Sequence, residues 1–246
     1  MINTIEFKKI IIMEDYTHLF EKTSDQHGLF FESLILLNDC KNILEIGTAY
    51  ATTTKYLCRG ANLTGGTVYA YDLWENHGLT NQFQQLSSKD QCDSYLRSHG
   101  IENFVLTKID SKSKEFRELV DKNHPTIDFV FIDGCHSYDG IKNDFEVVYP
   151  KLSQTGIIVF HDTLRIDGCR EFMIDLRTKY FDGTYDIVDL PFGAYERRCG
   201  VSLLVKRSYP VINLLCDEIC NLEDRTEQIY SKEKDWYQSE IENNRK

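Results

Sequence analysis

The chain has 246 residues, of which 41% are hydrophobic, and its formal net charge is −11 at pH 7. The hydrophobic content excludes a disordered chain, and the acidic balance disfavours a nucleic-acid partner because like charges repel. The length suits one α/β domain with additional segments better than two independent cores.

We expect no targeting signal. The apolar run Ile10–Met13 lies between charged residues, is too short to span a membrane and is not followed by a small-residue cleavage site. We therefore expect a cytoplasmic protein without a membrane span. The cysteines contain no CxxC pair, so we expect them to be reduced, small apolar residues rather than disulfides or zinc ligands.

Short apolar runs alternate with longer mixed segments, a pattern typical of alternating strands and helices. The predicted strands are Asn42–Ile46, Thr67–Leu73, Phe104–Ile109, Ile127–Ile132 and Gly156–Phe160. The predicted helices are Ala51–Arg59, Asn81–His99, Lys112–Asn123, Tyr138–Leu152 and Gly168–Tyr180. The continuous apolar runs IDFVFID and GIIVF indicate strands buried on both faces, as in a parallel sheet covered by helices. Tyr185–Leu190 and Val201–Val205 lack a helix between them and are predicted to end the sheet as an antiparallel pair.

Two helical flanks surround this core. We predict an N-terminal helical cap over residues 1–40, the core over 41–208 and a C-terminal helical extension over 209–246. Apolar residues of the extension follow an imperfect heptad pattern, at Ile212, Leu215, Ile219, Leu222, Ile229 and Trp236. The extension either folds back on its own domain or contacts a second copy, so a homodimer through either helical flank is possible.

The first informative motif is ILEIGTAYA, a strand that leads through a loop into a helix. Gly47 at the strand end permits close backbone approach to a ligand, and the helix that follows offers unpaired N–H groups to an anion. A dinucleotide site would require closely spaced glycines, but Ala49 and Ala51 occupy those places. The motif therefore argues against pyrophosphate binding.

Acidic residues recur near the ends of successive strands. Glu45 precedes the glycine and can meet a cation, and Asp72 can accept both hydroxyls of a ribose. Asp110 and Ser111 follow the third strand and can reach an adenine amino group. Each alone can equally be a cap or a turn former, but ligands bind at this edge of open α/β sheets. Together, each at the carboxyl end of a strand, they are much harder to explain as caps or turn formers.

Three segments carry a family resemblance: LEIGTAYATTTKYL, VYAYDLW and IDFVFIDGCHSYDGIKNDFEVVYPKLSQTGIIVFHDT. They resemble the class I S-adenosylmethionine-dependent methyltransferases, in particular the macrocin-type sugar O-methyltransferases and, more distantly, catechol O-methyltransferase. The resemblance implies an α/β, Rossmann-like sheet of seven strands with the last strand antiparallel and helices on both faces. It also implies contacts to S-adenosylmethionine from Glu45, Gly47, Thr48, Ala49, Asp72, Leu73, Asp110, Ser111 and Asp133.

The later segments point to the chemistry. DGCHSY and HDT end neighbouring strands, so Asp133, His136, His161 and Asp162 are expected to converge above the sheet. Methyl transfer to a hydroxyl needs an aligned methyl group and a base for the proton. The resemblance assigns Asp133 and His136 to catalysis, with His136 as the general base. It assigns Asp133, His161 and Asp162 to a divalent metal such as Mg²⁺ or Mn²⁺.

His161 departs from the family pattern, in which metal-binding members carry a carboxylate at this position. Because Mg²⁺ prefers oxygen ligands, the imidazole weakens the case for magnesium and leaves room for Mn²⁺. Two structural alternatives stay open: His136 can cap the next helix, and His161 can be a packed residue bonded to Asp162. The remaining histidines and Asp144 are expected to be structural.

The sequence thus predicts O-methylation of a small molecule, with a sugar hydroxyl of a glycan or specialised metabolite ahead of a catechol. The alternatives are a non-catalytic cofactor-binding module of the same fold and a dinucleotide-dependent oxidoreductase, which the missing glycines disfavour. A nucleic-acid methyltransferase is disfavoured because neither a basic face nor an N/D-P-P-Y motif is visible. We expect acceptor recognition from residues 16–31, from Trp74–Gln85 and from Pro191–Arg198.

Overall fold

The computed structural model describes residues 27–74, 88–192 and 199–207. The strands are β1 (Asn42–Ile46), β2 (Thr67–Asp72), β3 (Phe104–Lys108), β4 (Ile127–Ile132), β5 (Leu152–His161), β6 (Tyr185–Leu190) and β7 (Val201–Lys206). The helices are α1 (27–37 within the described part), α2 (Thr52–Thr64), α3 (Lys89–Ser98), α4 (Lys114–Asn123), α5 (Tyr138–Val148) and α6 (Asp167–Thr178).

The strands form one sheet in the order β3-β2-β1-β4-β5-β7-β6. The first five pair in parallel, and β7 is antiparallel to both of its neighbours, β5 and β6. The predicted seven-stranded sheet with an antiparallel last strand is confirmed. The N-terminal cap before residue 27 and the extension after 207 lie outside the described residues, so the predicted boundaries at 40 and 208 stay predictions.

The observed elements differ from the predicted ones mainly at their ends. The helix that begins at Tyr138 was expected to reach Leu152, but it ends at Val148 and continues as a 3-10 turn, Tyr149–Lys151. Pro150 explains this difference, because proline has no N–H group for a further helical hydrogen bond. β5 then starts at Leu152 rather than Gly156, and its register against β4 shifts between Ile127 and Phe129. Of the predicted helix Asn81–His99, residues 81–87 lie outside the described part.

The core consists of two apolar layers, one on each face of the sheet. Side chains alternate between them along the buried strands: Phe129 and Phe131 of β4 belong to one layer, and Val130 and Ile132 belong to the other. Buried residues of α1, α2 and α3 cover the first layer, and those of α4, α5 and α6 cover the second. This is the two-sided burial that the continuous apolar runs predicted.

Within the described part, no helix is both long and apolar enough to cross a membrane. The six cysteines described there are free, and all except Cys135 are buried. The parallel strands bring their carboxyl ends to one edge of the sheet, where the residues predicted to bind ligand lie at or just after the ends of β1 to β5.

Candidate active site

Gly47 stands at the closest approach between the ends of β1 and β4. Its φ of 93° is left-handed, and a Cβ added there would lie 2.3 Å from the carbonyl oxygen of Asp133. The Asp133 N–H donates to the carbonyl of Ile46 across 2.8 Å, which joins the two strand ends. Only glycine meets both the conformational and the steric requirement at this position.

The two alanines that stand in place of glycines also have left-handed backbones, with φ of 45° at Ala49 and 60° at Ala51. A residue with a Cβ pays roughly 1–2 kcal/mol for this conformation. Contacts to Ala49 stabilise the loop: its N–H donates to Asp72 Oδ2 (2.8 Å), and its carbonyl accepts from Cys92 Sγ (3.1 Å). The ligand-binding loop therefore keeps a glycine-like shape without glycines.

The helix after this loop has an open N-terminus. No side chain caps α2 at Ala51, and its first turn contains no acidic residue. The first N–H groups of a helix lack intrahelical partners and carry a partial positive charge. The start of α2 thus suits an anionic group such as a carboxylate.

Glu45 lies beneath the loop and is 1% exposed. Its Oε2 accepts a hydrogen bond from Thr54 Oγ1, and the hydroxyl of Thr48 nearby is buried without a partner among the described residues. Burial raises the pKa of Glu45 well above its ordinary value, and the charges of Asp133 and Asp72 raise it further. A cationic amino group is the ligand that would relieve this accumulation of negative charge.

Asp72 holds the loops after β1 and β2 together. Its Oδ2 accepts from the Ala49 N–H, and its Oδ1 accepts from the Trp74 N–H across 2.7 Å. A carboxylate offers about four acceptor sites, so two remain after these bonds, which suits a ribose diol. Leu73 is half-buried beside it.

Asp110 and Ser111 form a turn at the end of β3. Oδ1 of Asp110 accepts from the Lys112 N–H (2.9 Å), and the carbonyl of Ser111 accepts from Asn143 Nδ2 on α5 (2.9 Å). The neighbouring Asp144 is fully buried, so it is a helix-packing acid and not a surface one. The turn is therefore fixed by the side chain of Asp110 and by Asn143 of α5.

The structure brings Asp133, His136, His161 and Asp162 together. Oδ1 of Asp133 lies 3.1 Å from Nε2 of His136 and 3.1 Å from Nδ1 of His161. Oδ2 of Asp162 lies 3.6 Å from each of the same two ring nitrogens. Two carboxylates and two imidazoles thus alternate around one centre at the edge of the sheet.

The charges in this centre support one another. Burial alone raises the pKa of Asp133, but the two imidazoles outweigh it and lower the pKa well below the ordinary value. Burial alone lowers the pKa of His136 and His161, but their carboxylate neighbours outweigh it and raise both pKa values. The carboxylates are therefore ionised at neutral pH, and each imidazole is drawn toward its charged form.

The backbone of Asp162 is left-handed, with φ of 57°. Its carbonyl accepts from the N–H groups of Arg165 and Ile166, at 3.2 and 3.0 Å, which fixes the turn after β5. Strained conformations of this kind persist where the surrounding structure enforces them, commonly at functional sites.

The donor group that the described residues offer to a metal is Asp133, His136 and Asp162, whose ligand atoms lie within 4.8 Å of one another. It differs from the predicted group because His136 replaces His161. The ring of His161 turns toward α1 and packs edge-on against His27, with a centroid distance of 5.1 Å. Its Nε2 is buried and has no partner among the described residues.

Two further sequence expectations concern neighbouring residues. The cap of α5 is Ser137 and not His136, because Ser137 Oγ accepts from the Gly140 N–H across 3.1 Å. His27, expected to be merely structural, is buried beside the site, with Nε2 3.4 Å from Thr53 Oγ1. Its burial lowers its pKa to about 3, so it is neutral. No local pattern marks His27, since only the packing of α1 brings it to β5.

The predicted acceptor-recognition segments are described only in part. Residues 16–26, 75–85 and 193–198 lie outside the described residues. Within the described part, Phe192 packs against Phe30 of α1 with a ring distance of 5.3 Å. The ends of two of these segments therefore lie close together.

Comparison with known proteins agrees with this geometry. Residues 44–163 match a family model described as a methyltransferase domain. A curated protein of Sinorhizobium fredii, "Uncharacterized protein y4gI", is 26% identical over an alignment of 153 residues that covers 59% of this chain. The chain spans 16% of the length of that relative.

Solved structures share the fold at low identity. An O-methyltransferase from Bacillus cereus in complex with SAH is 16% identical, with a TM-score of 0.60 over 79% of this chain and 90% of that one. TomG from Streptomyces achromogenes, an O-methyltransferase in complex with SAM, is 17% identical, with a TM-score of 0.59 over 74% and 79%. An rRNA methylase from Streptococcus thermophilus also matches, at 16% identity and a TM-score of 0.51 over 72% and 92%. The fold therefore does not decide the acceptor.

The sheet order and the family match agree on the fold. Residues 44–163 match the methyltransferase-domain model, and the sheet that they help to form has the Rossmann-like fold of the solved methyltransferase structures. The narrower likeness is to O-methyltransferases, and at these identities it is a likeness of fold.

Proposed function

We propose that this protein transfers the methyl group of S-adenosylmethionine to a hydroxyl oxygen of a small molecule. The observation that carries the proposal is the contact of His136 with Asp133 at the end of β4, next to the loop that suits the cofactor. A sugar hydroxyl of a glycan or specialised metabolite is our first choice of acceptor, and a catechol is the second. The acidic composition supports a small acceptor over a nucleic acid.

The chain's own residues fit the cofactor. The open start of α2 would bind its carboxylate, and buried Glu45 with Thr48 would face its amino group. Asp72 would accept from the ribose hydroxyls, and the Asp110–Ser111 turn would meet the adenine. The methyl group would lie near Asp133, because the loop at Gly47 runs directly beside the Asp133 backbone, whose carbonyl oxygen would be 2.3 Å from a Cβ added at Gly47.

His136 would remove the proton of the acceptor. When Nε2–H donates to Asp133, the lone pair lies on Nδ1, and the side chain is 38% exposed, so an acceptor can reach it. S-adenosylmethionine would supply the methyl group: the acceptor oxygen would bond to the methyl carbon as the carbon–sulfur bond breaks, and sulfur would keep the electron pair. The hydroxyl proton passes to His136.

A divalent ion also fits this centre. Asp133, His136 and Asp162 would hold it, and the two carboxylates with one imidazole suit Mn²⁺ better than Mg²⁺. This role of His136 is the alternative to its role as base, because a neutral imidazole that binds an ion has no lone pair left for a proton. A bound ion would lower the pKa of the acceptor hydroxyl as a Lewis acid.

The remaining proposals are a homodimer formed through a helical flank, a cytoplasmic location and the domain boundaries at 40 and 208.

Titration calorimetry with S-adenosylhomocysteine tests the cofactor. The intact protein should bind it, and Asp72→Ala should bind at least tenfold more weakly because the ribose contact is lost. Asp90→Ala on the exposed start of α3 is the matched control and should bind normally. Transfer from labelled S-adenosylmethionine to sugars and catechols then tests the reaction. Binding without transfer to any hydroxyl acceptor would favour the non-catalytic module, and absence of binding would contradict the whole proposal.

A further inference from the structure

Asp144 on α5 is a buried acid that the proposed reaction does not use. Its side chain is fully buried, and its Oδ2 accepts no hydrogen bond from the described residues. Burial raises its pKa to about 6, while the Ser111 hydroxyl and the Asn143 amide lower it. Buried carboxyl groups are costly, so their retention needs an explanation.

The position of Asp144 connects two loops at the ligand-binding edge. On one side, its Oδ2 lies 3.5 Å from the point that a Cβ of Gly134 would occupy, directly after Asp133. On the other side, its Oδ1 lies 3.3 Å from Nδ2 of Asn143. The same Nδ2 donates to the carbonyl of Ser111 across 2.9 Å.

A chain of contacts leads from Asp144 to Asp110. The carbonyl of Ser111 and the N–H of Lys112 belong to one planar peptide group. Asn143 holds the carbonyl end of this plane, and the N–H end donates to Oδ1 of Asp110 across 2.9 Å. Any rotation of the plane would therefore turn the carboxylate of Asp110.

We propose that Asn143 and Asp144 are positioning residues that hold the Ser111–Lys112 peptide plane, so that the second oxygen of Asp110 faces the exocyclic amino group of adenine. The inference rests on the proposed use of S-adenosylmethionine. Asp144 orients the Asn143 amide, Asn143 orients the peptide plane, and the plane orients Asp110. The selectivity for adenine thus depends on a helix that does not itself touch the cofactor.

Two ligands test this directly: S-adenosylhomocysteine and S-inosylhomocysteine, which carries a carbonyl in place of the adenine amino group. We expect the intact protein to prefer the adenine ligand at least tenfold in calorimetry. In Asn143→Ala and Asp144→Ala the affinity for S-adenosylhomocysteine should fall about tenfold, the magnitude of one lost hydrogen bond, and the affinity for the inosine ligand should barely change. Loss of folded protein would lower the apparent affinity for both ligands by the same factor. The ratio of the two affinities therefore reports the positioning of Asp110.

Matched variants complete the experiment. Glu146 lies on the exposed face of α5, so Glu146→Gln should keep the affinity ratio of the intact protein. Asp144→Asn retains an acceptor oxygen for the Asn143 amide, so its affinity ratio should be close to that of the intact protein. If Asp144→Ala does not fold, the half-buried Asn143→Ala decides the question. An unchanged ratio in folded Asn143→Ala would overturn the inference and leave the proposed function intact. Failure of the intact protein to bind S-adenosylhomocysteine would overturn both.

Discussion

Asp133 and His136 lie three residues apart and face each other, with Oδ1 of the acid 3.1 Å from Nε2 of the imidazole. The contact forms because the chain turns between the end of β4 and the start of α5, whose first N–H groups Ser137 caps. It fixes the orientation of the imidazole ring and raises its pKa, although burial alone lowers it.

Removal of the proposed base should reduce turnover. In His136→Ala we expect methyl transfer to fall by about 10²–10⁴-fold, the usual contribution of general base catalysis, while the Kd for S-adenosylhomocysteine stays unchanged. Initial rates with labelled S-adenosylmethionine measure the loss. His99→Ala, a change on the exposed end of α3, serves as the control. Full activity of His136→Ala would show that another group takes the proton.

The pH dependence should identify the acid partner. Because His136 acts only when neutral, the rate should rise as the pH increases through its pKa. Asp133 raises that pKa, so Asp133→Asn should lower it and shift the rising limb toward lower pH. A pH profile of kcat/KM for the two proteins shows the shift. If Asp133→Asn stays active and the rising part of its pH profile does not move, Asp133 does not set the pKa of the base.

Gly47→Ala should be far more harmful than an alanine at another left-handed glycine. An added Cβ would meet the Asp133 carbonyl at 2.3 Å, whereas at Gly100, with φ of 71°, nothing lies within 4 Å. We expect Gly47→Ala to lose about 3 kcal/mol or more of unfolding free energy and Gly100→Ala only about 1 kcal/mol. Urea denaturation measures both. Equal losses of unfolding free energy in the two variants would mean that the left-handed backbone alone, and not the close approach to Asp133, requires glycine at position 47.

Asp144 should make the stability of the protein depend on pH. Its folded pKa is raised to about 6, above the ordinary value, so the neutral form is favoured in the folded state. The stabilisation of the folded state by neutral Asp144 is fully present below the pKa of the unfolded state, near 3.9. It is lost as the pH rises through 6, the pKa of the folded state. Between pH 5 and 7.5 the protein should therefore lose about 1.4 kcal/mol of unfolding free energy relative to Asp144→Asn. Denaturation curves at the two pH values test this, and parallel behaviour of both proteins would contradict it.

The proposed metal centre predicts an ion affinity of its own. Titration of the EDTA-treated protein with Mn²⁺ should show one bound ion, and Asp162→Ala should weaken its binding because a carboxylate ligand is lost. Asp175→Ala on α6 retains the three donor residues and should bind as the intact protein does. If Mn²⁺ binds no more weakly to Asp162→Ala, the assigned ligand group is wrong.

The linear pattern determined which segments are strands and that most of them are buried on both faces. Apolar runs such as IDFVFID lie inside the parallel part because only a doubly covered strand can bury side chains on both faces, and β1 and β4 begin and end at the predicted residues. The sequence also determined which residues lie at the ligand-binding edge, since Asp72 ends β2 and Asp133 directly follows β4.

Only the tertiary structure decided which of those residues meet. The ring of His161 packs against His27 on α1 while its Nδ1 meets Asp133 and Asp162, and His136 reaches the same two carboxylates from the β4 loop. Asp144 likewise lies under the loops after β3 and β4 because α5 crosses there. Contacts between residues that are distant in the chain depend on how helices cover the sheet, and no local spacing encodes them.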